Sequence, residues 1–267
     1  MRTLCLASLL AATAAAPSFA QLPAQNDLGV SMGHIHFLVT DPDATKKAWT
    51  DVFGATEGTS GQTFKFLKIP GMDIVVGKAN TPPTGGTQGS SVHHIGIVVK
   101  DYAAVKAKAD AAGFKWQELT PNVQAFVTFP EAVTVEVMED KNISTPVAFH
   151  HIHESVPDGA AAQAWYMKEF GATKGSRRNL PAAMMTGNEE VDFLKANMPP
   201  AGTKGRSLDH IGFDVKDLDA TLKRLEADGI KPDIAMRDMS KQIGLKIAFI
   251  TDPNGTYIEL TEGLAGK

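Results

Sequence analysis

Four short runs in this chain open on histidine followed by isoleucine. They are Gly33-His34-Ile35-His36-Phe37, His93-His94-Ile95-Gly96-Ile97, His150-His151-Ile152-His153-Glu154 and Asp209-His210-Ile211-Gly212-Phe213. All eight histidines of the 267-residue sequence lie in these runs. A segment that recurs marks a duplicated architecture and has to be recognised before any fold is assigned. The spacing around it recurs too. His34 to Phe53 and His151 to Phe170 are both 19 positions, and His34 to Lys78 and His151 to Lys195 are both 44. His94 to Lys115 and His210 to Lys231 are both 21. Two kinds of unit therefore alternate, and one half of the protein duplicates the other. The units run over 33–80, 92–140, 147–197 and 207–263, and the halves over 33–140 and 147–263.

Each unit reads as strand, helix, then further strands. In the first, Asp41-Pro42 is an acidic N-cap followed by proline at the first helical position. Ala48, Trp49, Val52 and Phe53 form an apolar stripe at helical spacing, and Gly54 closes the helix. Phe64–Leu67 and Met72–Val76 read as strands about a Pro70-Gly71 turn. The second unit predicts a helix near 102–112 and strands near 125–129 and 132–138. Thr81 to Ser91, rich in Pro, Gly, Thr and Ser, is a linker. The fold class is α+β.

Side chains alternate across a strand. Ile211, Phe213 and Val215 would face the helix that follows, leaving His210 on the opposite side. The same rule places His34, His94 and His151 on that open side, with His36 and His153. It sends His93 and His150 to the helical face as structural residues. Thr128 to Glu136 and Thr251 to Glu259 are both 8 positions, so the two glutamates are equivalent. Each interrupts a strand-like run, and a buried carboxylate needs a cationic partner. Val76 and Phe193 take the corresponding place in the other units. Each half thus offers two histidines and one glutamate: His34, His94 and Glu136, then His151, His210 and Glu259. Imidazole with carboxylate suits a divalent metal, Fe(II) first and Mn(II), Zn(II) or Ni(II) as alternatives. His36 and His153 would line the hollow.

The first 20 residues read as a cleaved secretory signal: Arg2, an apolar run from Leu4 to Ala16, and Ser18-Phe19-Ala20 before Gln21. The expectation is a periplasmic or secreted protein. Removing 20 of 267 residues leaves 247, enough for two domains. The one cysteine, Cys5, leaves with the signal, so no disulfide is expected. The formal charge of −4 and the lack of a basic cluster argue against nucleic acid as a partner. No later apolar run is long enough to span a bilayer.

The opening strands and the closing Asp252-Pro253-Asn254-Gly255-Thr256-Tyr257-Ile258-Glu259 resemble the vicinal oxygen chelate superfamily of glyoxalase I, bleomycin-resistance proteins and extradiol dioxygenases. The resemblance covers 33–263 as four βαβββ modules. It implies pairing into two cupped, incomplete barrels with helices outside, within one chain or across a homodimer. It also implies a divalent metal and a small substrate carrying two neighbouring oxygens. Four modules in one chain look like the two-domain extradiol dioxygenases, whose pattern carries iron ligation onto His151, His210 and Glu259, with His153 the candidate acid–base residue. Glyoxalase-type centres instead take four ligands, with a carboxylate or Gln from both modules. The leading expectation is an exported extradiol-type dioxygenase. The alternatives are a glyoxalase-like isomerase or lyase, and a non-catalytic small-ligand-binding protein.

Overall fold

The computed structural model describes residues 22–61 and 64–265; the signal-peptide reading of 1–20 falls outside them. The first module comprises β1 (Val30–Val39), α1 (Pro42–Phe53), β2 (Thr56–Ser60), β3 (Phe64–Ile69) and β4 (Met72–Lys78). The second comprises β5 (Val92–Val99), α2 (Tyr102–Ala111), β6 (Lys115–Thr120), β7 (Gln124–Phe129) and β8 (Val133–Glu139). The third comprises β9 (Val147–Val156), α3 (Gly159–Phe170), β10 (Thr173–Arg177), β11 (Leu180–Met184) and β12 (Glu190–Lys195). The fourth comprises β13 (Leu208–Val215), α4 (Leu218–Ala227), β14 (Ile234–Asp238), the short α5 (Ser240–Ile243), β15 (Lys246–Thr251) and β16 (Tyr257–Glu262).

Helix α1 forms as the local chemistry dictates. The Asp41 side chain accepts from the Ala44 N–H, Pro42 stands in the first turn, and Gly54 closes the helix with φ 71°. Asp101, Asp158 and Asp217 cap the other three long helices in the same way. The apolar faces merge into one continuous core. Trp49 of α1 lies 5.9 Å from the Phe37 ring of its own module and 5.3 Å from Phe129 of the second. Phe170 of α3 stacks on Phe213 of the fourth module at 4.4 Å. No helix among the described residues is long and apolar enough to cross a membrane.

The sixteen strands of the described residues make two eight-stranded sheets. One runs β14-β15-β16-β13-β1-β4-β3-β2, the other β10-β11-β12-β9-β5-β8-β7-β6. The modules therefore pair one with four and two with three, joined antiparallel through β1 and β13 and through β5 and β9. This corrects the grouping by halves. His34, His94 and Glu136 do not share a sheet, nor do His151, His210 and Glu259. Each sheet is complete within one chain.

The register aligns the histidines and glutamates in two matching rows. In the first sheet the row reads Asp73, His34, Gly212, Glu259, Phe249. In the second it reads Glu190, His151, Gly96, Glu136, Phe126. A glycine separates histidine from glutamate in both. A Cβ on Gly212 would sit 2.0 Å from the His34 ring, and one on Gly96 would sit 1.9 Å from the His151 ring.

Each central strand pair also carries bulges. The register skips Gly33 and Asp209 in the first sheet and His93 and His150 in the second. A bulge leaves one residue unpaired and re-aims its side chain. Strict alternation therefore fails one position before each histidine. His93 and His150 are not on the helical face as alternation predicts; each contacts the imidazole that follows it.

Two outcomes follow from this register. Gly212→Ala drives a methyl into the His34 ring; we expect a stability loss of about 1–3 kcal/mol in urea unfolding, as for other overpacked interiors. Asp73 is buried with one oxygen unpartnered, and burial pushes its carboxyl from 3.8 up to about 7 against the pull of Lys68. A carboxyl raised on folding favours the fold only while protonated. Its penalty is absent below about pH 3.8, grows as pH rises and is complete above about 7. Asp73→Asn escapes that penalty, so it gains on the parent by about 1–3 kcal/mol at high pH. The gain closes toward pH 4, which unfolding at both pH values measures.

Candidate metal centres

The first centre is built on β1, β13 and β16. His34 Nε2 and His210 Nε2 each lie 2.9 Å from the same Glu259 oxygen, Oε2. His36 pairs across the strands with His210, their rings 4.5 Å apart. One ligand atom from each of these four side chains falls within 4.8 Å of the others. The Asp252 turn fixes the start of β16, since its carboxylate accepts from the N–H groups of Asn254 and Thr256 at 2.9 and 2.7 Å.

Burial would raise the Glu259 carboxyl, but hydrogen bonds from His210 and His34 overcome it and hold the group well below the carboxylate range. Burial would likewise lower His210, yet bonds to Asp209 and Glu259 raise it above the ordinary 6.5. Asp209 Oδ1 accepts from His210 Nδ1 at 2.7 Å, and its other oxygen accepts from the Gly205 N–H at 2.7 Å. Asp209 thus orients the ring and leaves Nε2 directed at the centre. Sequence reasoning missed this residue, although a charged side chain immediately before a strand histidine was the available signal. Gly33 holds the equivalent bulged place beside His34 and supplies no side chain, and His34 Nδ1 is buried without a partner. His36 is pushed well below the usual imidazole range by burial and then by His210 and His34.

A cavity of about 220 Å³ opens directly on this centre. Its apolar walls come from Phe64, Ile243, Leu245, Ile247 and Phe249. A larger groove of about 920 Å³ lies among α1, α2 and the start of β9, and none of the histidines line it.

The second centre repeats the arrangement with β9, β5 and β8. His151 Nε2 and His94 Nε2 lie 3.1 and 3.5 Å from Glu136 Oε2. His153, expected to act as acid or base, sits here with Nδ1 3.2 Å from His94 Nε2, in the place His36 takes in the first centre. Burial, then His94, lowers it to about 3. Gln124 donates to Glu136.

The register also corrects the carboxylate positions. His36 pairs with Val75 and His153 with Asp192, so the counterparts of Glu259 and Glu136 are Val75 and Asp192, not Val76 and Phe193. Asp192 is fully buried, and burial, with Glu190 nearby, raises its carboxyl to about 8. Arg177 also reaches into this centre. Its Nη1 lies 2.8 Å from Glu190 and 2.9 Å from His150, and its Nη2 lies 3.7 Å from Glu136.

All six metal-ligand candidates are therefore buried at two sites, as His34, His210 and Glu259 and as His94, His151 and Glu136. The donor sets fit a divalent ion: each brings two imidazole nitrogens to a single carboxylate oxygen on the floor of a cupped sheet.

The sequence pattern of the Glyoxalase/Bleomycin resistance protein/Dioxygenase superfamily matches residues 31–124 and 148–260. No curated relative matches the chain. Among solved structures, glyoxalase I from Zea mays superposes with a TM-score of 0.69 at 16% identity, over 88% of this chain and 92% of that one. A dioxygenase-like protein from Bacillus subtilis superposes with a TM-score of 0.65 at 13% identity, over 91% and 86%. The cppA protein from Streptococcus pneumoniae does so with 0.52 at 8% identity, over 91% and 99%. With its four repeated modules and its His–Glu rows, the chain belongs to the glyoxalase, bleomycin resistance protein and dioxygenase superfamily.

Proposed function

We propose that the protein is an exported, divalent-metal-dependent enzyme acting on a small substrate with two neighbouring oxygens, with an extradiol-type dioxygenase as the leading reaction. The observation that carries this is the meeting of His34, His210 and Glu259 beside a cavity with largely apolar walls. Two histidines and one carboxylate leave open positions, the donor set suited first to Fe(II). A bound ion would supply Lewis-acid activation and adjacent positions for a chelating substrate.

The chain's own groups divide the remaining work. Asp209 fixes the His210 ring and its tautomer. His36 stands beside the ligand cluster with its ring 4.5 Å from that of His210; burial disfavours its charged form, so it would accept a hydrogen bond from a substrate hydroxyl and act only as a weak base. Phe64, Phe249 and the isoleucines exclude water and offer flat apolar contact to a ring. A glyoxalase-like isomerase or lyase is the second reading. It is favoured by Asp192, which gives the second centre a carboxylate from both contributing modules. Export rests on the pattern of residues 2–20, and the N-terminus of the secreted chain, expected at Gln21, checks it.

The reactions separate by oxygen. Protein loaded anaerobically with Fe(II) should consume O₂ with catechols, and His210→Ala or Glu259→Ala should abolish it. Turnover that needs no O₂ and tolerates Ni(II) or Zn(II) would favour the isomerase or lyase, while failure to bind any divalent ion would end the enzyme reading. Asp209→Ala should weaken metal binding at the first centre about 10–100-fold in a competing-chelator titration, the usual effect of losing an orienting carboxylate.

A further inference from the structure

The second centre contains a cation of its own. The Arg177 side chain is 15% exposed and lies among three carboxylates, Glu136, Glu190 and Asp192, at 3.7, 2.8 and 3.4 Å. Asp192 is fully buried, and neither of its oxygens has a hydrogen-bond partner. Among the described residues no arginine pairs with the carboxylate of the first centre; Glu259 is paired with His34 and His210. In the matching strand of the first module Ser60 stands where the third has Arg177, and its hydroxyl donates to the Ile243 carbonyl at 2.6 Å.

We propose that Arg177 is a tethered occupant of a second divalent-metal site formed by His94, Glu136 and His151 with Asp192 alongside, and that it makes the two centres unequal in affinity. A guanidinium does not lose its proton in a protein. An ion arriving at Glu136 and Asp192 therefore meets a fixed positive charge and must displace it. With the guanidinium gone, the same carboxylates face one another uncompensated in a buried setting, and an added cation relieves them.

The test is the number of Zn(II) ions retained by the full-length protein after desalting, counted by mass spectrometry, with thermal melting as a second readout. The parent should retain one equivalent. Arg177→Ser, which installs the residue the first module carries, should retain two and should show a larger Zn(II)-dependent rise in melting temperature. Arg177→Lys, which keeps a positive charge, should stay near one. Glu136→Gln in the Arg177→Ser background should return the count to one. If Arg177→Ser does not fold without metal, Arg177→Gln purified in the presence of Zn(II) gives the same count. Two equally tight equivalents in the parent, or no added equivalent in either neutral variant, would overturn the proposal. A parent that binds none while Arg177→Ser gains one would sink the functional reading above and leave this one standing.

Discussion

Both centres depend on the absence of a side chain. Strands lie about 4.8 Å apart, so a histidine and a glutamate two strands apart start about 10 Å from each other. His34 and Glu259 meet only by leaning over the strand between them. Gly212 occupies that crossing point, and a Cβ there would lie 2.0 Å from His34. Gly96 performs the same service for His151 and Glu136. The glycine in His-Ile-Gly is therefore part of the ligand geometry and not a flexible spacer. It sits in an extended strand, where its intrinsic cost is accepted for what its missing side chain permits.

The bulges complete the geometry and then let the centres diverge. Each places a residue beside the imidazole that follows it, and that residue is of three kinds across the four copies. Asp209 supplies an anion to His210, His93 and His150 supply imidazoles, and Gly33 supplies nothing. One scaffold thus gives three kinds of neighbour to four equivalent histidines. An anionic partner makes a ring more basic and a stronger ligand, whereas a neighbouring imidazole does neither. The difference follows from single residues at positions the backbone already exposes.

Much of this was legible in the sequence because it is local. The Asp41 cap, the apolar stripe of α1 and the repeated strand all depend on residues a few positions apart. The six buried ligand candidates were legible because duplication printed each of them at a matching interval. Module pairing was not legible. Within-half and across-half pairing bury the same apolar faces, so hydrophobic pattern cannot choose between them. The bulges were hidden because alternation assumes an unbroken ladder, and that assumption sent His93 and His150 to the wrong side. A one-residue slip named Phe193 where Asp192 stands, and a slip of one inverts every side chain of a strand. Arg177 escaped notice because a strand-end arginine is ordinarily solvated, and only its three distant carboxylate partners distinguish it.

The symmetry of the rows makes the asymmetry of their surroundings informative. Charge in a buried site must be balanced, and the two centres balance Glu259 and Glu136 by different means. In the first, the balance comes from the two ligand imidazoles, with Asp209 holding one of them, and Val75 replaces the second carboxylate. The adjoining cavity of about 220 Å³ has largely apolar walls. In the second, additional carboxylates are offset by Arg177, whose bulk and charge fill the approach. A reactive site needs a cation it can share with a substrate, in a space that excludes water. A guanidinium pinned by Glu136, Glu190 and Asp192 has no open position to share. On this physical ground the two rows offer a cation unequal approaches: the first faces a cavity with apolar walls, and the second holds Arg177 among its carboxylates.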